Sequence, residues 1–519
     1  MFENELTFMR AVMMKEEEIF HNKYESAIST IDKELGKNHP IIINGREIIT
    51  DDIFPDISPI DTRIIVGYAS RANEEHITSA IKSAKNAYRE WKRIDYKERI
   101  RIMLKAADIM SKQKYELAAL ITYENGKNRY EAIADVDEAI DFLRYYADEM
   151  EDNNGYIKKM NSCYADEENY SVMRPYGTFA VISPFNFPIA ITTGMCTGAL
   201  ITGNTVVLKP SSDTPISAIK IVRIFMEAGV IDGAINLVTG SGKDVGNLLV
   251  TSREIDGIVF TGSRDVGLSI FKTNAESPKP IITEMGGKNA CIVSKDAEIE
   301  KAVVAIARAA FGYSGQKCSA CSRLIIDKSI KDEFVNKLLS FTTKLKIGNP
   351  IERDTFIGPV INYHAYKKYG NVLEKASKDG KVLFGRIVDE LKHGYYVAPM
   401  IIDGLSKDHE FVKEELFLPV LTIIEYERFD EAIEIANSVD YGLTAGIFTN
   451  NKDEIERFFN EHEAGVLYVN RERSATTGAM VGAQPFVGWK YSGISGKGSG
   501  SKYYLPLFMR EQSRTQCLQ

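Results

Sequence analysis

No run in this 519-residue chain approaches 18 apolar residues, so no helix is expected to span a membrane. Positive charge is not in excess. A formal net charge of −8 and the lack of a basic stripe argue against a nucleic-acid partner. The first 25 residues mix Glu, Lys and Met without a long apolar core, so no signal peptide is expected. Cysteine is scarce: six residues in a chain this long point to a reducing, cytoplasmic setting. Cys318 and Cys321 form a Cys-Ser-Ala-Cys pair, but Cys163, Cys196, Cys291 and Cys517 are scattered singly. A zinc ribbon needs a second pair, and none of the seven histidines lies near Cys318 in sequence, so no metal site is expected. The same scatter argues against a thioredoxin-like dithiol and a Cys-His hydrolase. Gly240 to Gly246 and Phe260 to Gly267 match neither a P-loop nor G-x-G-x-x-G, so no standard nucleotide fingerprint applies. There is no internal repeat and no low-complexity region.

What remains is an ordinary globular composition, 44% hydrophobic and 26% charged, in a chain long enough for two or three domains. Helical spacing dominates residues 75–150, as in Ile77, Ile81, Ala84, Ala87 and Trp91, and again in Val136, Ile140, Leu143 and Ala147. From Phe179 the pattern becomes short apolar strands alternating with helices. Strands are expected at 179–182, 205–208, 234–238, 257–260 and 280–282, with a helix at 216–228. Such alternation predicts a parallel, doubly wound α/β sheet. A second series follows Gly287, with helices at 298–311 and 330–344 and strands near 323–326, 420–425 and 465–469, which predicts a second α/β domain. The segment from Asn169 to Thr178 and the last 20 residues, including Tyr503, Tyr504 and Leu507, read as extended strands that would pair with another subunit. The expected layout is a dinucleotide-binding domain at 1–157 and 179–286, a catalytic domain at 287–497, and oligomerisation strands at 158–178 and 498–519.

Gly315-Gln316-Lys317-Cys318 falls between a helical run and a strand, where a side chain can face a cleft. A free thiol is an intrinsically strong nucleophile. Taken alone, the stretch fits a buried structural cysteine better. Asn186, in Pro184-Phe185-Asn186-Phe187-Pro188, follows the first strand of the sheet and aims an amide at the ligand-binding end, or simply caps a turn. Lys209 ends the second strand and suits a ribose or phosphate; a solvated lysine is the alternative. The turn Thr261-Gly262-Ser263 opens a helix whose N-terminus can take an anion. Glu284, before Gly286-Gly287, is a candidate base if burial raises its pKa, and a surface turn residue otherwise. Glu415-Leu416-Phe417 places a carboxylate and an aromatic ahead of a strand.

The order and spacing of these segments resemble the aldehyde dehydrogenase superfamily over nearly the whole chain. Within it, Gly315 to Arg323, Thr477 to Gly482 with Gln484-Pro485-Phe486, and Glu138 to Phe142 are similar to the branch that oxidises L-glutamate γ-semialdehyde to L-glutamate in proline breakdown. Other branches acting on succinate semialdehyde or, without phosphorylation, on glyceraldehyde 3-phosphate are the alternatives. The resemblance implies that Cys318 attacks the aldehyde, that Asn186 and the Cys318 N–H hold the oxyanion, and that Glu284 activates water. It implies NAD as cofactor, with NADP possible because Ser212 stands where many members carry an acid. Glu415 would hold the nicotinamide ribose, Phe417 would pack on the nicotinamide, Lys209 would hold the adenosine ribose, and the helix after Gly262 would carry the pyrophosphate. Ile182, Ser183, Pro184, Phe185, Ser211, Ser212, Gly242, Gly246, Phe260, Ser263, Val266, Met285 and Gly286 would complete the cofactor cleft. Glu138 would meet the substrate ammonium, Ser319, Gly478 and Ala479 its carboxylate, and Phe187 and Phe486 its chain. A small-molecule aldehyde partner and a homodimer or higher homo-oligomer are implied as well. Lys317, beside Cys318, is a candidate for favouring its thiolate.

Overall fold

A computed structural model describes residues 2–518 except 477 and 479. Two seven-stranded sheets organise it. In the first, the strands Ile281–Glu284, Gly257–Thr261, Thr178–Ile182, Thr205–Lys209 and Ile235–Leu237 lie side by side and parallel. The hairpin Ile41–Ile43 and Arg46–Ile48 extends the far edge antiparallel. The expected strands are all present, and their near-continuous Val/Ile runs are buried on both faces, as a helix-covered parallel sheet requires. Chain order reverses between Thr178–Ile182 and Gly257–Thr261. The loops leaving these neighbours diverge there and open a crevice.

Helix Glu74–Trp91 covers one face of this sheet, and helices Tyr96–Asn125, Arg129–Asp152, Ala190–Ile201 and Pro215–Ala228 cover the other. The 129–152 helix starts where the Asn128 side chain accepts the N–H groups of Tyr130 and Glu131, at 3.1 and 3.0 Å, which satisfies two otherwise unpaired donors. Its phase carries Glu131, Asp135, Glu138 and Phe142, spaced by four, three and four residues, along one face.

The second sheet runs Lys381–Phe384, Met400–Asp403, Val420–Tyr426, Cys321–Asp327, Asn289–Val293, Thr444–Phe448 and Val466–Val469, parallel except at its first edge strand. Four residues, Met285 to Lys288, connect strand Ile281–Glu284 of the first sheet to strand Asn289–Val293 of the second. No helix among the described residues is long and apolar enough to cross a membrane.

The small third sheet departs from expectation. Residues 505–508 are not extended: Leu505–Phe508 forms a single tight turn that buries Tyr504, Leu505 and Phe508. The Phe508 ring lies 5.1 Å from Phe179 and 5.2 Å from Tyr504, and burying these rings outweighs the extended tendency of the segment. Strand Met509–Cys517 then pairs antiparallel with Glu167–Pro175 of the same chain, whose other side pairs with Ile157–Met160. The pairing expected between subunits is thus made internally. The preceding Gly/Ser-rich stretch does not swing free, because the Gly500 N–H donates to Tyr146 Oη at 3.0 Å and the Gly500 carbonyl accepts from Gly482.

Phe508→Ala should lower unfolding stability by about 3–5 kcal/mol, because the cavity would sit between Phe179 and Tyr504. Denaturant titration reads this directly. A loss under about 1 kcal/mol would show that the turn is not an anchor.

Candidate active site

Cys318 stands at the junction of two cavities. One, of about 540 Å³, is lined by Ser183, Pro184, Phe185, Asn186, Lys209, Ser211, Ser212, Gly242, Gly262, Ser263, Met285, Gly286, Cys318, Glu415 and Phe417. A neighbouring hollow of about 570 Å³ shares Lys209 and Gly242 and adds Ile182, Gly246, Phe260 and Val266. Every residue expected at the cofactor cleft therefore lines one of these two spaces. The other cavity at Cys318 is small, about 60 Å³, and is lined by Glu138, Phe187, Glu284, Ser319, Gly478 and Phe486 as expected. Ala479 lies outside the described residues.

The Cys318 loop is fixed from several sides. Gly315 takes φ +67°, and a Cβ there would come within 2.3 Å of the Leu418 carbonyl oxygen. Gln316 is buried; its Oε1 accepts the Ile361 N–H at 2.8 Å and its amide reaches the Tyr313 carbonyl at 3.3 Å. Asn289 Nδ2 donates to the Cys318 carbonyl at 2.7 Å and to the Ala320 carbonyl at 2.9 Å. Gly287 passes so close beneath that a Cβ would lie 2.4 Å from the Cys318 oxygen. Asn186 is buried, and its amide donates to the Gln316 carbonyl at 3.2 Å, two residues before the thiol. Cys321, by contrast, is buried in the strand.

Electrostatically the site is poised neutral. Burial, and then the carboxylates Glu415 and Glu284, push the Cys318 thiol upward, while the N–H groups of Ser319 and Cys318 pull it down. Lys317 does not favour the thiolate: its ammonium is drawn off to Glu131. Burial raises the Glu284 carboxyl well above its usual range, and its Oε2 has no hydrogen-bond partner among the described residues. Glu415 is pushed up to about 7 by burial, although its Oε1 accepts the Gly287 N–H at 2.9 Å. Burial lowers Lys209 to about 8. Glu138 is raised to about 8, first by burial and then by Asp135. It lines the small pocket together with Phe142.

The cleft suits a dinucleotide. Helix Arg264–Thr273 begins at Ser263 without a side-chain cap, which leaves its first N–H groups for an anion. Phe417 holds a left-handed backbone, φ 58°, and meets Phe185 edge-on at 5.7 Å, so an aromatic pair borders the space next to Cys318. Sequence reasoning missed Asp213 and Lys368, both on the cleft wall. Lys368 donates to the Leu416 carbonyl at 2.7 Å and holds the turn between Glu415 and Phe417. It comes from a helix of the second half, and no local motif marks it. Phe142 lines the small pocket with Glu138. Its i+4 spacing from Glu138 was a signal available in the sequence.

A dinucleotide-type cleft and a small pocket meeting at one cysteine between two doubly wound sheets define the architecture of a cysteine-dependent aldehyde-oxidising class. The chain belongs to the aldehyde dehydrogenase family, which residues 49–513 match. It is 39% identical over 495 residues to the 1-pyrroline-5-carboxylate dehydrogenase of Staphylococcus aureus (strain MW2), covering 94% of this chain and 95% of that one. Among solved structures, a Thermus 1-pyrroline-5-carboxylate dehydrogenase with bound NAD superposes with a TM-score of 0.92 at 35% identity, covering 96% of both chains. Proline utilization A from Bdellovibrio bacteriovorus reaches 0.94 at 36% identity over all of this chain, which spans 53% of that longer protein.

Glu415→Gln should speed alkylation of Cys318 by iodoacetamide severalfold at pH 8, above the value of about 7 for Glu415, because the substitution removes a negative charge that disfavours the thiolate. Labelling is followed on the Cys318-containing peptide. An unchanged rate would separate the two groups electrostatically.

Proposed function

We propose that this chain is an NAD-dependent L-glutamate γ-semialdehyde dehydrogenase, forming L-glutamate in proline catabolism. The observation that carries the reading is that Cys318 lines both the cofactor cleft and the small pocket, with Glu284 and Glu138 in the latter. The relatives named 1-pyrroline-5-carboxylate dehydrogenase support the substrate, and the NAD-bound neighbour supports the cofactor.

In this reading Cys318 loses its proton to solvent, and its sulfur attacks the aldehyde carbon. The Asn186 amide, released from the Gln316 carbonyl, and the Cys318 N–H then hold the developing oxyanion; one such donor is typically worth about 3 kcal/mol. NAD, when bound, would supply the hydride acceptor. Glu415 would hold the nicotinamide ribose hydroxyls, Phe417 and Phe185 would confine the ring, Lys209 and Ser212 would hold the adenosine ribose, and the Ser263 helix end would take the pyrophosphate. A thioester is left on Cys318. Glu284, held neutral by burial in the resting pocket, must lose its proton to act as base on the hydrolytic water, and its unpartnered Oε2 is free to take that role. Glu138 pairs with the substrate ammonium, Ser319 and the Gly478 backbone receive the α-carboxylate, and Phe187 and Phe486 flank the chain between.

The dinucleotide-binding domain is assigned to 1–157 and 179–286, the catalytic domain to 287–497, and the arm to 158–178 and 498–519. The exposed strands Ile157–Met160 and Met509–Cys517 leave open edges that suit a homodimer contact. Six unpaired cysteines support a cytoplasmic location.

Cys318→Ala should abolish formation of NADH from glutamate semialdehyde, while Cys321→Ala retains most of it. Wild-type turnover by Cys318→Ala would overturn the mechanism, and a preference for succinate semialdehyde would overturn the substrate. The Glu138 carboxyl is protonated below about 8 in the free enzyme and charged above it. The KM for the aldehyde should therefore fall as pH rises through this range, and Glu138→Gln should flatten that difference and raise KM. Parallel profiles for the two enzymes would remove Glu138 from substrate binding.

A further inference from the structure

Lys127 lies in the turn between helices 96–125 and 129–152, and its side chain is completely buried. Its Nζ sits 2.7 Å from Asp135 Oδ2. The same ammonium lies 3.5 Å from the centroid of the Phe187 ring and 5.1 Å from that of Tyr313. The other oxygen of Asp135 accepts the N–H of Ala190 at 2.7 Å, at the start of helix Ala190–Ile201. Lys127 lines neither cavity at Cys318, so it does not touch what enters them.

Two considerations give this pair a purpose. A buried ammonium–carboxylate pair is generally no more stabilising than apolar residues of the same volume, so its presence is poorly explained by stability. Its surroundings are also specific. Phe187 follows Asn186 and forms a wall of the small pocket. Tyr313 opens the left-handed turn, φ 47° here and 52° at Ser314, that leads to Cys318. The cation thus lies where the Asn186–Phe187 segment and the Cys318 segment approach each other, with a ring from each. A desolvated cation attracts the face of an aromatic ring and fixes its position. Van der Waals packing alone would leave the ring free to shift.

We propose that Lys127, held by Asp135, is a positioning residue that clamps the Phe187 ring as the wall of the aldehyde pocket and thereby sets affinity for the aldehyde. The proposal rests on reading Phe187 as part of that pocket. Turnover of glutamate semialdehyde by the wild-type enzyme tests that reading by itself, before any variant is compared.

The test uses the full chain with Lys127→Met, the charge-free pair Lys127→Met/Asp135→Asn, and both again in a Phe187→Leu background. The charge-free pair leaves no uncompensated carboxylate, so it should fold with a Tm near wild type. It also removes the opposed effects of the two charges on Glu138, so what remains reports on the ring. The expected result is an aldehyde KM raised on the order of tenfold, with the KM for NAD unchanged and kcat affected far less. In the Phe187→Leu background the same substitutions should add almost nothing, since the group they act through is gone. A purely structural pair would instead lower Tm and move both KM values together, or recover the aldehyde KM when Tm recovers. Equal effects with and without the Phe187 ring would likewise overturn the proposal. Should Lys127→Met alone fail to fold, the charge-free pair and the Phe187→Leu series decide the matter.

Discussion

Everything at the reactive centre depends on one close passage, that of the Met285–Lys288 connector beneath the Cys318 carbonyl. Gly287 leaves no room there for even a methyl group, and Asn289, two residues on, ties the Cys318 and Ala320 carbonyls to the first strand of the second sheet. Because this connector also joins the two sheets, the carboxylate that ends one sheet and the thiol that precedes a strand of the other are set relative to each other by a few backbone contacts. Gly286 carries the same constraint on its other side, where a Cβ would collide with the Glu415 carboxylate. The cofactor cleft and the small pocket are thus two sides of one short, tightly packed segment.

The resting charge state follows from the same packing. Burial favours the neutral forms of Cys318, Glu284 and Glu138, and among the described residues Lys317, the lysine beside the thiol, is committed to Glu131 instead. Two adjacent carboxylates would otherwise repel a thiolate. In the proposed mechanism, resting neutral forms of Cys318 and Glu284 suit steps that charge the two groups in succession. A bound substrate ammonium would favour the Glu138 carboxylate at the time it is needed.

Much of this was legible in the sequence because it lies in strands and in the turns that follow them. The five parallel strands of the first sheet read as Val/Ile runs, and their carboxyl ends gave Ser183 to Asn186, Lys209, Thr261 to Ser263 and Glu284. Contacts contributed by a distant helix were not legible: Lys368 reaches the Leu416 carbonyl from a segment with no motif. Glu138 lies off the Val136/Ile140/Leu143 stripe, but its helix is buried on most sides, so this polar phase lines a pocket. The turn at Leu505–Phe508 was missed for a related reason. Local extended tendency lost to the burial of three side chains against helices far away in the chain. Lys317 was assessed by its neighbour in sequence, whereas its side chain answers to Glu131.

The internal pairing of Met509–Cys517 with Glu167–Pro175 also fixes an order of events during synthesis. Ser171 and Glu511, which bond across that ladder, are 340 residues apart. At a typical elongation rate of about 5–20 residues per second, the inner strand emerges on the order of tens of seconds before its partner exists. Through that interval it exposes a row of unpaired backbone groups on a body still being completed. Its neighbour Ile157–Met160 can occupy only the opposite edge. The nascent chain therefore carries an open strand edge that its own last residues close, and any other extended segment nearby competes for it until then.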